Sequence, residues 1–333
     1  MDEFKQYPVS LQEVIRAQRI IKSYLKPTQL NHYARMSKDC GMDIFIKHEN
    51  HHPTGSFKIR GGVNIMHHLR KAGVKGVITF STGNHGLSVA ASAHWFGLDA
   101  TIVVPENNNP AKNELIRSFG AKLLEAGKNF DEASKVVDQL SRQEELYYIH
   151  PANEPHLING VGSEFLEILE DLPDIDVMIV PIGGGSEAAA AVTVLKTINP
   201  KIQVIAVQAK ASSAAYCSWK ANEIRTGENK TFAGGFATGK AYEIPFGIYS
   251  KKLDHFVLLD EDEIVQGIAL AMYYTKNLAE GAGASTIMAA LKLREVLKGK
   301  KVVLQMSGCN ASSEEVSQAI KSPCFEHGTA GRN

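Results

Sequence analysis

Apolar residues in the first half of the chain follow two alternating patterns. Short apolar runs predict buried strands over residues 76–80, 100–105, 121–124 and 146–149. Longer segments with apolar positions at helical spacing predict helices over residues 86–96, 110–119 and 130–143. Strands separated by helices of this length indicate right-handed crossovers. They therefore predict a parallel sheet.

A second series of the same kind follows. Its predicted strands are residues 177–181, 203–207, 256–259 and 301–304. Its predicted helices are residues 158–168, 188–196, 261–277 and 284–297. The stretch between residues 209 and 249 contains several glycines and is predicted to be mostly loop.

The N-terminal part of the chain precedes both series. Ser10-Leu11-Gln12-Glu13 has the pattern of a capping box and opens a predicted helix that Lys26-Pro27 ends. Residues 30–35 and 43–47 are then predicted to be strands joined by a turn at Gly41, and residues 57–71 a helix. The sequence therefore predicts an α/β fold, with parallel-rich sheets flanked by helices.

Composition narrows the class of protein. The chain has 333 residues, enough for two ordinary domains, and its 36 basic residues balance 36 acidic ones, so no charge pattern for nucleic acid is present. The four cysteines are far apart, and the paired histidines lack the spacing of metal ligands. No apolar run is long enough to cross a membrane, and the first residues are polar. We therefore expect a cytoplasmic protein without a metal, a nucleic-acid partner or a membrane contact.

Four polar or glycine-rich stretches carry candidate chemistry. They are residues 51–62 (HHPTGSFKIRGG), 81–86 (STGNHG), 183–186 (GGGS) and 307–310 (SGCN), and the last three each follow an apolar run. Taken singly, each has a plain alternative. Lys58 fits an exposed lysine at a helix start, and the other three fit ordinary turns.

The glycine stretch is the most informative of the four when its context is considered. Between a strand and a helix, successive backbone N–H groups and the helix N-terminus form an anion site, and glycine lets a phosphate approach the backbone. Ser186 can still donate its N–H and hydroxyl groups. Glu187 suits a helix N-terminus but would repel a dianion, so its side chain is expected to point away from the anion.

Together the four stretches resemble the tryptophan synthase β-like (fold type II) family of enzymes dependent on pyridoxal 5′-phosphate (PLP). The nearest branch is that of the serine/threonine ammonia-lyases and serine racemases, and the resemblance runs from about residue 10 to about residue 315. It implies that Lys58 carries PLP as a Schiff base and that Asn84 binds the phenolic oxygen of the cofactor. The further cofactor-binding residues that it implies are Phe57, Gly183, Gly184, Gly185, Ser186, Glu280 and Ser307.

The resemblance also implies a substrate site. The loop of Ser81, Thr82, Asn84 and His85 would hold the substrate carboxylate, with His85 acting through its backbone. Thr82 matches the position at which serine racemases place a second acid–base group. The segment from His150 to Pro155 matches one near the cofactor ring, although for this segment and for Glu280 a capping or turn role is equally compatible with the sequence.

Domain organisation follows from the same resemblance. It implies a larger PLP-binding domain of residues 1–72 and 151–333 and a smaller, mobile α/β domain of residues 73–150. A homodimer is expected. The chain ends too early for the regulatory domain that biosynthetic threonine dehydratases often carry.

One feature of the cation-binding branch is missing. Where that branch has carboxylates, this chain has the acid-free stretch from Gln208 to Ala214. Hard cations prefer several oxygen ligands, usually with carboxylates among them, so no site of this type is expected. A weaker hypothesis is that the Lys210 ammonium takes the place of the ion.

The favoured function is a PLP-dependent ammonia-lyase that converts a small β-hydroxy amino acid, such as L-threonine or L-serine, to a 2-keto acid and ammonia. The resemblance implies that Ser307 faces the pyridine nitrogen of PLP. A hydroxyl there leaves the nitrogen largely neutral and so favours elimination, whereas a carboxylate would keep it protonated. The alternatives are an amino-acid racemase, a β-replacement transferase of the cysteine synthase type, and a PLP-binding regulator without turnover.

Overall fold

The computed structural model describes residues 4, 6–106, 108, 110–127 and 130–331. Packing divides the chain into two compact units, each made of two segments. The first unit comprises Met1–Lys26 and Phe57–Ser163, and the second Pro27–Ser56 and Glu164–Asn333. The predicted smaller domain, residues 73–150, lies within the first unit. Its bounds as a separately moving domain remain a prediction.

The secondary structure alternates between strands and helices over most of the chain. In chain order the strands are β1 Leu30–His32, β2 Asp43–Lys47, β3 Gly76–Phe80, β4 Asp99–Val104, β5 Lys122–Glu125, β6 Tyr147–Tyr148, β7 Val177–Pro181, β8 Gln203–Ala209, β9 His255–Leu259 and β10 Lys301–Gln305. The helices are α1 Leu11–Ile21, α2 Ala34–Cys40, α3 Lys58–Lys71, α4 Asn84–Phe96, α5 Pro110–Ser118, α6 Phe130–Gln143, α7 Pro155–Asp171, α8 Ser186–Ile198, α9 Ala214–Ala221, α10 Glu243–Tyr249, α11 Glu261–Thr275, α12 Gly281–Lys292, α13 Arg294–Leu297, α14 Ser313–Lys321 and α15 Pro323–His327.

The first unit is built on a four-stranded sheet in the order β5-β4-β3-β6, with every pair parallel. Both faces of this sheet are covered, as expected for a parallel sheet. On strand β3, Val77 belongs to a core that includes α3 and α4, and its neighbour Ile78 belongs to a second core with Val137 of α6. This alternation follows from the two-residue period of side chains along a strand. The predicted parallel sheet is confirmed.

The second unit is built on a six-stranded sheet in the order β1-β2-β10-β7-β8-β9. Strand β1 is antiparallel to β2, and the remaining pairs are parallel. Strand β10, the last in the sequence, lies between β2 and β7. Because β7 and β10 are parallel neighbours, the loops that follow them leave the same edge of the sheet.

One sequence prediction about secondary structure was wrong, and several short helices were not predicted. The strand predicted over residues 30–35 ends at His32, and residues 34–40 form helix α2, which buries Met36 and Cys40 on one face. The stretch between residues 209 and 249 is rich in loop, as predicted, but also contains α9 and α10. Helix α14 was not predicted, although Ser312 and Glu315 form a complete capping box at its start.

The capping box predicted at Ser10 is half formed. The hydroxyl oxygen of Ser10 accepts a hydrogen bond from the Glu13 backbone N–H at 3.3 Å. The Glu13 carboxylate instead bonds the Tyr7 hydroxyl and the Arg16 guanidinium, while the Ser10 N–H donates to Asn159 at 3.4 Å. Tertiary contacts have therefore replaced the second half of the local motif.

Among the described residues, no helix is long and apolar enough to cross a membrane. In the same part of the chain, no three or more His, Cys, Asp or Glu side chains are grouped in a way that suits a metal ion.

Candidate active site

The glycine loop of the second unit connects β7 to helix α8. Gly185 occupies the N-cap position with φ +91°, a backbone conformation that favours glycine. A Cβ atom there would also lie 2.9 Å from the ring of Tyr249. The first N–H groups of α8 have no partners within the helix, so the loop and the helix start present donors to an anion. Its backbone thus fits the phosphate group of PLP.

The two residues that open helix α8 are both buried. Ser186 is 2% exposed and Glu187 is 4% exposed. The Glu187 side chain is therefore within the protein rather than in solvent. Its direction relative to a bound phosphate remains a prediction.

Ser307 follows strand β10 at the same edge of the sheet. Its side chain is buried, and the next residue, Gly308, forms an isolated antiparallel bridge with Ser56. The carbonyl oxygen of Gly308 also accepts a hydrogen bond of 3.1 Å from the N–H of Glu280, the N-cap residue of α12. Glu280 and the Ser307 segment are therefore brought together by the fold.

Cys309 lies next along this segment. Burial, and after it the neighbouring Glu280 carboxylate, raises the pKa of the Cys309 thiol. The thiol donates to the carbonyl oxygen of Asn50 at 3.4 Å. Cys309 is thus a structural thiol rather than a reactive one.

The loop that precedes Lys58 is fastened to the Ser307 segment within the second unit. The Cys309 N–H donates to the carbonyl oxygen of Gly55 at 2.8 Å, and the Asn310 side-chain amide donates to the carbonyl oxygen of Thr54 at 2.9 Å. Together with the Ser56–Gly308 bridge, these bonds align two of the four sequence stretches. No local pattern of residues predicts this pairing.

A buried polar group holds the other end of the same loop. The Glu49 carboxylate, which is fully buried, accepts a hydrogen bond of 2.6 Å from the Thr28 hydroxyl. It also bonds Nε2 of His52 at 3.1 Å. The sequence analysis did not single out these three residues. Their hydrogen bonds fix the backbone at the start of the lysine loop.

Lys58 is the first residue of helix α3 in the first unit. Its side chain is half-buried, and its Nζ lies 4.7 Å from the centroid of the Phe57 ring. Its carbonyl oxygen accepts a hydrogen bond of 2.7 Å from the Ser88 hydroxyl on α4. The backbone of the lysine is therefore held by the same helix that Asn84 begins.

The Asn-containing loop connects β3 to helix α4. The Gly83 N–H donates to the hydroxyl oxygen of Ser81 at 3.3 Å, which closes a tight turn. Asn84 then starts the helix, with a partly buried side chain, whereas Thr82 is exposed. The turn thus presents two hydroxyls and the N-terminus of α4, a set of groups suited to a carboxylate.

His85 is buried and its tautomer is fixed by its neighbours. The Thr79 hydroxyl donates its one proton to the carbonyl oxygen of Ile149 at 2.7 Å, so its oxygen accepts from Nε2 of His85 at 3.0 Å. Burial, and after it the charge of Lys58, lowers the pKa of His85 to about 3. The lowered pKa keeps the ring neutral, and the backbone role of His85 in substrate binding stays a prediction.

His150 makes a turn. Its Nδ1 accepts hydrogen bonds from the backbone N–H groups of Ala152 at 3.0 Å and Asn153 at 2.9 Å. The structure shows the turn that the sequence allowed, and a role for this segment near the cofactor ring stays a prediction. Glu154 accepts a hydrogen bond of 2.9 Å from the Tyr147 hydroxyl.

The acid-free stretch after β8 has one buried amide. The Gln208 side chain is fully buried, and its Oε1 accepts from the Tyr216 N–H at 3.1 Å. Lys210 is exposed in a short 3₁₀ helix. An ammonium that replaced a bound ion would be expected to be buried among oxygen atoms, so this exposure argues against the Lys210 hypothesis.

The two units thus each hold part of the predicted set. The first unit contains Phe57, Lys58 and the Asn-containing loop, and the second contains the glycine loop, Glu280 and Ser307. Their assignment to cofactor and substrate remains a prediction. The second unit has an anion-binding helix start after a parallel strand, and the first has an amine-bearing helix start; both are features of enzymes that use a phosphate-bearing cofactor.

Comparison with known proteins identifies the family. The model of the family described as "Pyridoxal-phosphate dependent enzyme" matches residues 21–308, and the chain belongs to that family. The predicted resemblance, the fold class and the cofactor PLP are confirmed by this match and by the structural relatives below.

Three individual proteins show how similar this chain is to characterised members of the family and to solved structures. The L-threonine ammonia-lyase of Thermotoga maritima is 36% identical over 322 residues, which cover 96% of this chain and 80% of that protein. The structure of maize serine racemase has a TM-score of 0.88 and 27% identity, and the match covers 96% of this chain and 99% of that one. The processed form of threonine deaminase isoform 2 from Solanum lycopersicum has a TM-score of 0.87 and 29% identity, with 94% of each chain covered.

Proposed function

We propose that this protein is a PLP-dependent ammonia-lyase that converts L-threonine, and less efficiently L-serine, to a 2-keto acid and ammonia. The observation that carries the proposal is the 36% identity to an L-threonine ammonia-lyase over almost the whole chain. The buried Ser307 supports it, since a hydroxyl at the pyridine nitrogen favours prompt loss of a β leaving group.

PLP, when bound, withdraws electrons from the substrate and so acidifies its Cα proton. In the proposal the Lys58 amine anchors the cofactor and, once released by the incoming amino acid, accepts the Cα proton. The Ser88 hydroxyl holds the backbone of Lys58 at the start of helix α3, from which the amine-bearing side chain extends. In net terms the Cα proton and the β-hydroxyl leave as one water, and hydrolysis of the released enamine consumes one water and yields the keto acid and ammonia.

The remaining residues have binding roles in this proposal. The N–H groups of residues 183–186 hold the cofactor phosphate, and Asn84 bonds the phenolic oxygen. The hydroxyls of Ser81 and Thr82, with the start of helix α4, hold the substrate carboxylate. Phe57 and Glu280 border the cofactor ring, and His85 contributes its backbone N–H.

The test is release of keto acid across a panel of amino acids. L-threonine should give 2-oxobutanoate with equimolar ammonia, and L-serine should give pyruvate more slowly. Release of neither keto acid by protein that has bound PLP would contradict the proposal. A homodimer, a cytoplasmic location and a mobile domain of residues 73–150 complete the proposal, and light scattering of the purified protein tests the first of these.

A racemase is the second candidate. The observation that favours it is the match to maize serine racemase, with a TM-score of 0.88. The exposed Thr82 hydroxyl matches the racemase acid–base position, but its β-branch restricts χ1 and hinders proton delivery. Formation of D-serine from L-serine distinguishes the two activities.

A further inference from the structure

The glycine loop packs against a second loop of the second unit, the turn Ala233–Phe236. Gly183 leaves no room between them, because a Cβ atom on it would collide with the carbonyl oxygen of Gly235. Residues Gly234–Phe236 form one turn of 3₁₀ helix there. At Gly183, the phosphate loop is therefore supported by the backbone of the turn.

The turn Ala233–Phe236 in turn packs on the first turn of helix α12. A Cβ atom on Gly235 would lie 2.6 Å from the Cβ of Ala282. A Cβ atom on Gly281 would lie 2.8 Å from the Cβ of Ala233. Both values are shorter than van der Waals contact, so the turn and the helix touch at two points that only small residues permit.

Helix α12 then packs on the segment that carries Ser307. A Cβ atom on Gly283 would collide with the carbonyl oxygen of Gly308 and lie 3.0 Å from its nitrogen. The Glu280 N–H donates to the same carbonyl oxygen at 3.1 Å. Gly308 is bonded directly to Ser307, so the contact acts on the Ser307 backbone.

A continuous series of close contacts therefore runs from Gly183 through the turn and helix α12 to Gly308. The contacts of the series are made by backbone atoms and by alanine Cβ atoms, so they do not depend on a side-chain rotamer. Strands β7 and β10 are neighbours in the sheet, but their loops extend beyond its hydrogen bonds. The turn and the helix therefore form a second connection between the two loops.

We propose that the turn Ala233–Phe236 is a positioning element for PLP: with the start of α12 it sets the separation of the phosphate loop from Ser307. This rests on the proposed roles of residues 183–186 and Ser307. A cofactor whose phosphate binds at one loop and whose pyridine nitrogen faces the other is sensitive to that separation. Displacement of the turn therefore lowers PLP affinity before it affects the rest of the fold.

Adjacent glycines in the turn supply a matched pair of variants. Both Gly234 and Gly235 are exposed and neither has a positive φ, so alanine strains neither backbone. A Cβ on Gly234 meets nothing within 4 Å, whereas on Gly235 it meets Ala282. Gly235→Ala should raise the Kd for PLP by about tenfold or more, and Gly234→Ala should leave it within about twofold.

The measurement is titration of each apoprotein with PLP, followed by the visible absorbance of the bound cofactor. Thermal unfolding of the apoproteins is measured beside it. The double variant Gly235→Ala/Ala282→Gly removes the atom that the new methyl group would meet, so its affinity should return to within about threefold of wild type. Ala282→Gly alone gives the reference for helix stability.

Each result either supports or overturns the positioning role of the turn Ala233–Phe236. Wild-type affinity in Gly235→Ala, equal losses in both single variants, or failure of the double variant to recover would overturn the positioning role. If Gly235→Ala does not fold, recovery of folding and PLP binding in the double variant supports the proposal, and a folded double variant that binds PLP weakly refutes it. Failure of wild-type protein to bind PLP at all would instead contradict the proposed function.

Discussion

The side-chain amide of Asn310 donates a hydrogen bond of 2.9 Å to the carbonyl oxygen of Thr54, across 256 residues of sequence. Thr54 lies four residues before Lys58. A Cβ atom on the intervening Gly55 would lie 2.7 Å from Oδ1 of Asn310, so the amide is in close contact with the loop. Asn310 therefore fastens the loop that leads to the lysine.

Replacing Asn310 should destabilise the protein. Asn310→Asp keeps the size of the side chain and removes the donor, which leaves the Thr54 carbonyl without this bond. We expect the free energy of unfolding to fall by about 1–3 kcal/mol. Denaturant titration measures it, and Asn310→Ala serves for comparison. An Asn310→Asp variant as stable as wild type would show that the bond contributes nothing.

Lys58 is predicted to be the attachment site of PLP. Borohydride reduction should fix the cofactor to the peptide that contains Lys58, as read by mass spectrometry. Lys58→Ala should have no measurable turnover, because both anchor and base are removed. Lys71→Ala, at the exposed far end of the same helix, is the control and should keep wild-type activity. Labelling of another lysine would refute the assignment.

Acid should destabilise the fold through buried histidines. The ring centroid of His156 lies 4.1 Å from the ring centroid of His68 and 4.2 Å from that of Tyr7. Burial lowers the pKa of His156 to about 3 and that of His68 to about 4. A histidine with a lowered folded-state pKa binds its proton more readily in the unfolded chain, so stability is lost as the pH falls from about 6.5 towards these values.

The corresponding variant is His156→Phe, which keeps an aromatic ring and cannot be protonated. Between about pH 6 and about pH 4, the free energy of unfolding of this variant should fall less steeply than that of wild type. The difference should approach 1.4 kcal/mol per pH unit, roughly the value for one proton. Unfolding midpoints across this range measure it, and parallel slopes for the two proteins would contradict the assignment of His156 as a buried neutral ring.

Activity should not require a divalent cation. The motivating feature is the acid-free stretch from Gln208 to Ala214, in which Oε1 of Gln208 accepts a hydrogen bond from the Tyr216 N–H. Treatment with EDTA followed by dialysis should leave the rate of keto-acid release unchanged. Loss of activity that magnesium restores would show that this expectation is wrong.

Elimination should be faster than racemisation. Thr82 presents a hydroxyl at the position of the second acid–base group in serine racemases, but its methyl group limits the rotamers that reach the substrate. With L-serine as substrate, pyruvate should form faster than D-serine. Thr82→Ser should raise the proportion of D-serine, and Ser81→Ala serves as a control for general loss of substrate binding. Equal rates of D-serine and pyruvate formation in wild type would favour the racemase.

Much of the fold was predictable because the central strands of both sheets are buried on both faces. Continuous apolar runs such as Val177–Pro181 mark such strands, and the loops after them can be assigned to one edge of a parallel sheet. The four motif stretches could be found for the same reason, since each lies at the end of a strand or the start of a helix.

The rest depended on tertiary contacts that no local pattern records. Helix α2 was missed because its two buried residues, Met36 and Cys40, are too few to define a helical period. The Thr54–Asn310 bond joins residues too distant for any motif to span. The turn Ala233–Phe236 has the composition of a loop. The need for glycine at position 235 becomes visible only from its close contacts with Gly183 and Ala282.

The central position of β10 has a consequence for folding during synthesis. Strands β2 and β7 leave the ribosome long before β10, yet they have β10 between them in the finished sheet. The lysine loop pairs with residues 308–310, which are made later still. Contacts of such long sequence separation form slowly, and the nascent chain has to remain open until its last strand arrives. The cofactor is therefore expected to be captured only after translation of the sheet is complete.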